Sequence, residues 1–234
     1  MMNYQFDILR REHADAEPWH QIIAFETEDA NETVATALQK IGTGHSRDVA
    51  GREVAPIAWE AGCLQKKCGA CAMLINGLPR LACDTFLRQL KSKKITLAPL
   101  RKFPVIRDLV TDRSVMFENL KTLEVWSETT SPVKEKDLDR AYDASRCLQC
   151  GCCLEACPNF EPGGSFFSAA GFAPQARLLT SCASSMQDNI RKLYQLHIYD
   201  GCGKALACEK VCPAGINLDR LLSRSNAVKI WHRK

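Results

Sequence analysis

Four cysteines in the first half of the chain, Cys63, Cys68, Cys71 and Cys83, follow a C-x4-C-x2-C spacing, with the fourth after eleven intervening residues. That is the spacing that holds a [2Fe–2S] cluster. Three thiolates must converge on one small inorganic core while neighbouring amides turn toward its sulfurs, so the loop between them has to be short. Gly69 and Ala70 keep it compact, and the Asn76-Gly77 pair can fold the chain back so that Cys83 reaches the same place. Two other chemistries use such residues. Cys68 and Cys71 also form a C-x-x-C pair of the redox-dithiol type. Four cysteines can instead hold zinc, although zinc sites usually show two C-x2-C knuckles rather than C-x4-C. Four cysteines in register within a strand-rich stretch favour the cluster over both.

The second half carries Cys147-x2-Cys150-x2-Cys153-x3-Cys157-Pro158. In this arrangement the fourth cysteine serves the other cluster of a pair, so a partner frame is required downstream. It is present: Cys202, Ala205, Cys208, Cys212 and Pro213 repeat the spacing 55 residues later, with Ala205 where the second cysteine would stand. Crossing the two frames assigns Cys147, Cys150, Cys153 and Cys212 to a [4Fe–4S] cluster. Cys157, Cys202 and Cys208 remain for the other site. A corner without a thiolate does not easily hold its iron, so that site is expected to be [3Fe–4S]. A [4Fe–4S] cluster with a non-cysteine fourth ligand is the competing assignment. Cys152 and Cys182 fall outside both frames and read as buried small hydrophobes.

Composition sets the frame for these motifs. The chain has 234 residues and 13 cysteines, an odd number that excludes a fully paired disulfide framework within the chain. The start, Met1 to Asp7, runs into a strand-like segment without the charged and apolar regions of a secretion signal. A reducing compartment is expected, where so many thiols point to metal. No stretch reaches the roughly 18 apolar residues of a membrane span. The net charge is +4; residues 1–100 are balanced at 12 basic and 12 acidic groups, and residues 101–234 carry the excess. So small and scattered an excess does not make a nucleic-acid surface. No G-x-G-x-x-G follows a strand, and Gly42-Thr43-Gly44 reads as a turn. His13, His20, His45, His197 and His232 are scattered and form no ligand set. With no catalytic residues evident and thiolates filling the clusters, a carbon substrate has no place to bind. The catalytic cofactor is expected on another subunit.

The elements that must position the cysteines follow from periodicity. Tyr4–Arg10 alternates as a strand, and Gln21–Thr27 is a second short apolar run. Asp29 and Glu32 form a capping-box pattern ahead of a helix whose face is Val34, Ala37, Leu38 and Ile41, ended by Gly42. Gly42–Arg52 reads as a loop. Ala72–Ile75 and Arg80–Ala82 flank Asn76-Gly77, a hairpin signal. After Pro99 and Pro104 helical patterns take over, at Val115–Trp126, Asp137–Ser145, Pro174–Gln187 and Leu218–Trp231. Turn-rich pieces such as Glu161-Pro162-Gly163-Gly164 separate them. A strand-rich α+β domain over 1–102 and a mainly helical domain over 103–234 are expected.

The order of these motifs resembles the iron–sulfur subunit of succinate dehydrogenase and fumarate reductase. The likeness extends over nearly the whole chain, through Cys68-Gly-Ala-Cys71-Ala-Met73, Asn76-Gly77, Phe103-Pro104-Val105-Ile106-Arg107-Asp108-Leu109 and both Cys-Pro motifs. The resemblance implies a β-grasp, plant-type [2Fe–2S] ferredoxin domain followed by a helical dicluster domain of bacterial-ferredoxin type. It also implies a flavoprotein partner bearing FAD and the dicarboxylate site, and a membrane anchor binding quinone or haem b. The chain would then lie peripherally at the cytoplasmic face of a bacterial or archaeal membrane. Electrons would pass between FAD and quinone by way of the [2Fe–2S], [4Fe–4S] and [3Fe–4S] clusters in turn. Ubiquinone-type members usually carry a Trp soon after the first Cys-Pro and a His after the first Cys of the second motif. Here Asn159, Phe160 and Glu161 follow Pro158, and Gly203 follows Cys202, which points to a menaquinone-linked enzyme.

Two alternatives belong to other classes. One is the iron–sulfur subunit of a related flavoprotein reductase with another substrate. The other is a free-standing multi-cluster ferredoxin carrier, for which co-purification of a flavoprotein partner is the discriminating observation.

Overall fold

The computed structural model describes residues 1–44, 46–126, 132–181 and 184–231. The chain divides into two compact units, Met1–Asp112 and Arg113–Lys234.

In the first unit the alternation of Tyr4, Phe6 and Ile8 produces β1 (Met2–Arg10), with those side chains buried. It pairs antiparallel with β2 (Trp19–Thr27). Helix α1 (Val34–Thr43) buries the face formed by Val34, Ala37, Leu38 and Ile41. Strands β3 (Ala72–Ile75) and β4 (Leu78–Leu81) form the expected hairpin, and β5 (Lys94–Ala98) runs parallel to β1. The mixed sheet has the order β2-β1-β5-β3-β4, the expected β-grasp arrangement. At its turn Asn76 and Gly77 take φ values of 50° and 75°. Two successive left-handed residues make the type I′ geometry that Asn-Gly favours. Asn76 Oδ1 then accepts from the amide of Thr96, tying the turn to β5.

Three local expectations change. The capping box lies at Thr33 and Thr36, each of whose hydroxyls accepts from the other's backbone amide (3.1 and 2.9 Å). Asp29 instead closes a turn on the amide of Asn31, while Glu32 is buried and accepts from Thr27 and Lys40. Helix α1 also runs past Gly42 and is capped at Gly44, because glycine lowers helix propensity without forbidding helix. Finally, the division of the units falls after Asp112 rather than near residue 102. Residues 103–112 form a small hairpin, β6 (Val105–Arg107) and β7 (Val110–Thr111), whose turn returns to the first unit. There the amides of Asp108 and Leu109 donate to the carbonyls of Arg11 and Ala58.

The second unit is helical: α2 (Ser114–Thr122), α3 (Leu138–Ser145), α4 (Cys152–Ala156), α5 (Ser168–Ser181), α6 (Ser184–Tyr194), α7 (Ala207–Lys210) and α8 (Leu218–Trp231). Helix α5 touches α2, α3, α4, α6 and α8 and is the centre of the unit. The core includes Leu123, Phe167, Phe172, Tyr194, Ile198 and Leu221. Cys147, Cys153, Cys202, Cys208 and Cys212 pack against this core, half-buried. Pro174 lies within α5 rather than at a helix start, and the pattern expected over Pro174–Gln187 is divided between α5 and α6. Cys182, His45 and His232 lie outside the described residues.

Candidate functional site

The loop that carries Cys63, Cys68 and Cys71 owes its shape to three left-handed residues, Leu64, Lys66 and Gly69, with φ between 53° and 75°. For Leu64 and Lys66 this conformation costs about 1–2 kcal/mol each. It turns successive amides inward onto sulfur. Gln65 and Lys67 donate to Cys63 Sγ at 3.3 and 3.2 Å, and Lys66 donates to Cys83 Sγ at 3.3 Å. Cys63 and Ala70 direct their amides at Cys68 Sγ, 3.4 and 3.5 Å away. The Cys71 thiol hydrogen-bonds with Cys83, so the hairpin brings Cys83 back to Cys71. The amides of Gln65 and Lys67 pull the Cys63 thiol down to about 7, while burial pushes Cys71 up to about 12. A cage of amides turned on the sulfurs of Cys63, Cys68 and Cys83 suits an anionic iron–sulfur core, whose charge those dipoles would offset. The residues present therefore fit a [2Fe–2S] group.

In the second unit the cysteines sort by the charges that act on them. Cys147, pushed up to about 11 by burial, senses Cys150 and Cys212. The Cys153 thiol is pushed well up by its desolvation against the core and senses Cys150, Cys147, Cys208 and Cys212. Burial also raises Cys208, to about 11, and its thiol neighbours are Cys157 and Cys202. Cys147 and Cys153 thus have Cys150 and Cys212 as thiol neighbours, whereas Cys208 has Cys157 and Cys202 and is sensed by Cys153 as well. Helices α4 and α7, one from each cysteine frame, pack together. One cavity is lined by Cys157, Cys202, Cys208 and Ala205, with Phe172 and Ile198 among its apolar walls. Ala205 offers that cavity a methyl group where the repeat calls for a fourth donor. Asn159 and Gly203 line the same cavity, whereas Phe160 is buried and Glu161 exposed.

Three contacts are invisible in the spacing. Gln149 Nε2 donates to Cys147 Sγ at 3.2 Å and to the Ala170 carbonyl at 3.0 Å. Arg113 donates to the Cys150 carbonyl at 3.2 Å. Cys152 is fully buried, and its thiol hydrogen-bonds to Cys150. That bond holds the Cys150 thiol down to about 7 despite burial, with the Arg113 charge acting in the same direction. A residue beside a ligand in sequence, as Gln149 is, could have been flagged by its donor chemistry; Arg113 lies 37 positions from its partner and could not.

His20 sits beside Asp7 on the strand surface, and His197 stacks on Phe167, each engaged away from the cysteines. Among the described residues no three His, Cys, Asp or Glu side chains close tightly enough around one point to hold a single metal ion.

Two families match the chain. A family described as a 2Fe-2S iron-sulfur cluster binding domain covers residues 5–118, and one described as a 4Fe-4S dicluster domain covers residues 143–216. The succinate dehydrogenase iron–sulfur subunit of Bacillus subtilis is 34% identical over 233 residues, covering 95% of this chain and 90% of that protein. The fumarate reductase iron–sulfur subunit of Wolinella succinogenes is 32% identical over 165 residues, covering 64% of this chain and 68% of that protein. Among solved structures, a chain of the Mycobacterium smegmatis Sdh1 complex in the apo form matches with a TM-score of 0.77. The match covers 98% of this chain and 97% of that one, and at 21% identity it speaks to the fold alone.

Proposed function

Because the chain belongs to the family of succinate dehydrogenase and fumarate reductase iron–sulfur subunits, an oxidoreductase family, we propose that it relays single electrons between a FAD-bearing flavoprotein and a quinone at a membrane anchor. Cys63, Cys68, Cys71 and Cys83 would hold a [2Fe–2S] cluster. Cys147, Cys150, Cys153 and Cys212 would hold [4Fe–4S], and Cys157, Cys202 and Cys208 would hold [3Fe–4S]. Such clusters, when bound, accept and release one electron at a time. The chain's own residues supply the thiolates, the amide dipoles of the 63–70 loop, and apolar walls around Cys157, Cys202 and Cys208.

The observation that carries the reading is the cavity lined by Cys157, Cys202, Cys208 and Ala205, where a methyl group stands at the position the repeated frame would give to a fourth thiol. No helix among the described residues is long and apolar enough to cross a membrane. Attachment would therefore run through the anchor, with this chain lying peripherally at the cytoplasmic face. Asn159 and Gly203 at the cavity support menaquinone as the physiological quinone.

Iron analysis and EPR of the purified complex test the proposal. The expected result is about nine iron atoms per copy of this chain, a [3Fe–4S] signal in the oxidised state, and a co-purifying flavoprotein. Zinc in place of iron, or a full iron complement without that signal, would overturn it. For the quinone, turnover with ubiquinone analogues and none with menaquinone analogues would reject the menaquinone assignment.

A further inference from the structure

The carbonyl of Ala170 belongs to the first turn of α5, four residues before Pro174. In an unbroken helix it would accept from the amide of residue 174, but proline has no N–H to give. Gln149 occupies that opening, its Nε2 donating to Ala170 O at 3.0 Å. A primary amide nitrogen carries two hydrogens, and Cys147 Sγ lies 3.2 Å from the same atom. The Ala170 carbonyl also decides which end of the carboxamide faces the sulfur. Turning the amide over would set Oε1 against another acceptor with no hydrogen between them. In the orientation found, Oε1 is buried without a hydrogen-bond partner. Buried carbonyl oxygens are normally satisfied, so the side chain is held for what its nitrogen does.

We propose that Gln149 is a positioning residue that raises the reduction potential of the cluster held by Cys147, Cys150, Cys153 and Cys212, and that Pro174 keeps the Ala170 carbonyl open to anchor it. The inference rests on the cluster assignment proposed above. An electron arriving from the flavoprotein side makes the cluster and its ligand sulfurs more negative. An N–H donor to a ligand sulfur stabilises that reduced state more than the oxidised one. The amides around Cys63 do the same work from the backbone; here a side chain does it, so it can be removed without altering the chain path.

The test is EPR-monitored redox titration of the complex carrying Gln149→Leu, Gln149→Met or Pro174→Ala. Loss of one charge-assisted hydrogen bond is expected to shift the [4Fe–4S] equilibrium about tenfold toward the oxidised form, a fall of about 59 mV for one electron. The [2Fe–2S] and [3Fe–4S] midpoints should stay where they are. Pro174→Ala, which restores a competing amide at Ala170, should move the [4Fe–4S] midpoint the same way by less. An unchanged [4Fe–4S] midpoint in Gln149 variants that keep the signal overturns the proposal, and so does loss of the cluster in both Gln149 variants. An unmoved midpoint in Pro174→Ala overturns the role given to Pro174. Absence of a [4Fe–4S] signal from the unmutated complex would instead overturn the cluster assignment itself.

Discussion

Arg10 Nε and Asp108 Oδ1 meet 2.9 Å apart, with side-chain exposures of 3% and 1%. Arg10 ends the inward face of β1, and its Nη1 and Nη2 donate to Gln21 Oε1 and to the carbonyls of Ala55 and Pro56. Asp108 accepts from the amides of Arg11 and Ala58. The pair thus joins the strand, the segment leading into the first cysteine loop, and the β6–β7 turn. Removing one partner leaves the other charge buried and unmatched, which costs about 3–5 kcal/mol. Asp108→Leu should therefore lower the stability of the chain by that amount in urea titration. The double variant Arg10→Met/Asp108→Leu should lose clearly less than the two single changes added together. Additive losses would mean that the two side chains are not coupled.

Gly62 is closely packed at the start of the first cysteine loop. A Cβ built there would stand 2.9 Å from Cys68 Sγ, and that sulfur is held between amides rather than free to move. Gly62→Ala is expected to reduce [2Fe–2S] content in the purified complex while the other two clusters remain. Iron counting with EPR of each cluster reads this directly, and an unchanged [2Fe–2S] signal would refute it.

Ala205 provides the methyl wall of the cavity that also contains Cys157, Cys202 and Cys208. Ala205→Cys supplies the thiol that the 55-residue repeat omits. The oxidised-state [3Fe–4S] signal should diminish in favour of a [4Fe–4S] species seen on reduction. A signal unaltered by the substitution would show that position 205 is not the open corner.

The first loop also orders its own thiols before any iron arrives. With its pKa lowered to about 7 by the Gln65 and Lys67 amides, Cys63 is substantially thiolate at neutral pH, whereas Cys71, buried and raised to about 12, stays protonated. Thiolate is the nucleophile. Iodoacetamide applied to the cluster-free chain at pH 7 should label Cys63 ahead of Cys71. Labelling of Cys63 should rise as pH passes from 6 to 8. Mass spectrometry of the tryptic peptides checks both, and early labelling of Cys71 would contradict the geometry.

Much of this architecture is legible without coordinates where the chemistry is local. Asn76-Gly77 specifies its own turn, since few other residues accept two left-handed conformations in succession. The alternation in β1 and the face of α1 likewise follow from neighbours two to four residues away. Reading fails where a local signal competes with a long-range one. Asp29 and Glu32 have capping-box spacing, but Glu32 is drawn inward by Thr27 and Lys40, and Thr33 caps instead. Residues 103–112 follow prolines and look like the start of something new, yet Asp108 binds them to Arg10 nearly a hundred positions earlier.

The sequence by itself determined the four cysteines of the first motif and the seven of the two crossed frames, the missing thiol at Ala205, and the order of a strand-rich unit before a helical one, because ligand spacing and residue periodicity are properties of short stretches. Only the tertiary structure decided what surrounds the sulfurs: the inward amides at 65–67, the Cys152 thiol on Cys150, the Arg113 contact, and Gln149 anchored through the carbonyl that Pro174 leaves open. Some of those contacts join residues far apart in the chain, as Arg113 with Cys150 and Gln149 with Ala170, and the strength of all of them depends on burial and direction, neither of which spacing encodes.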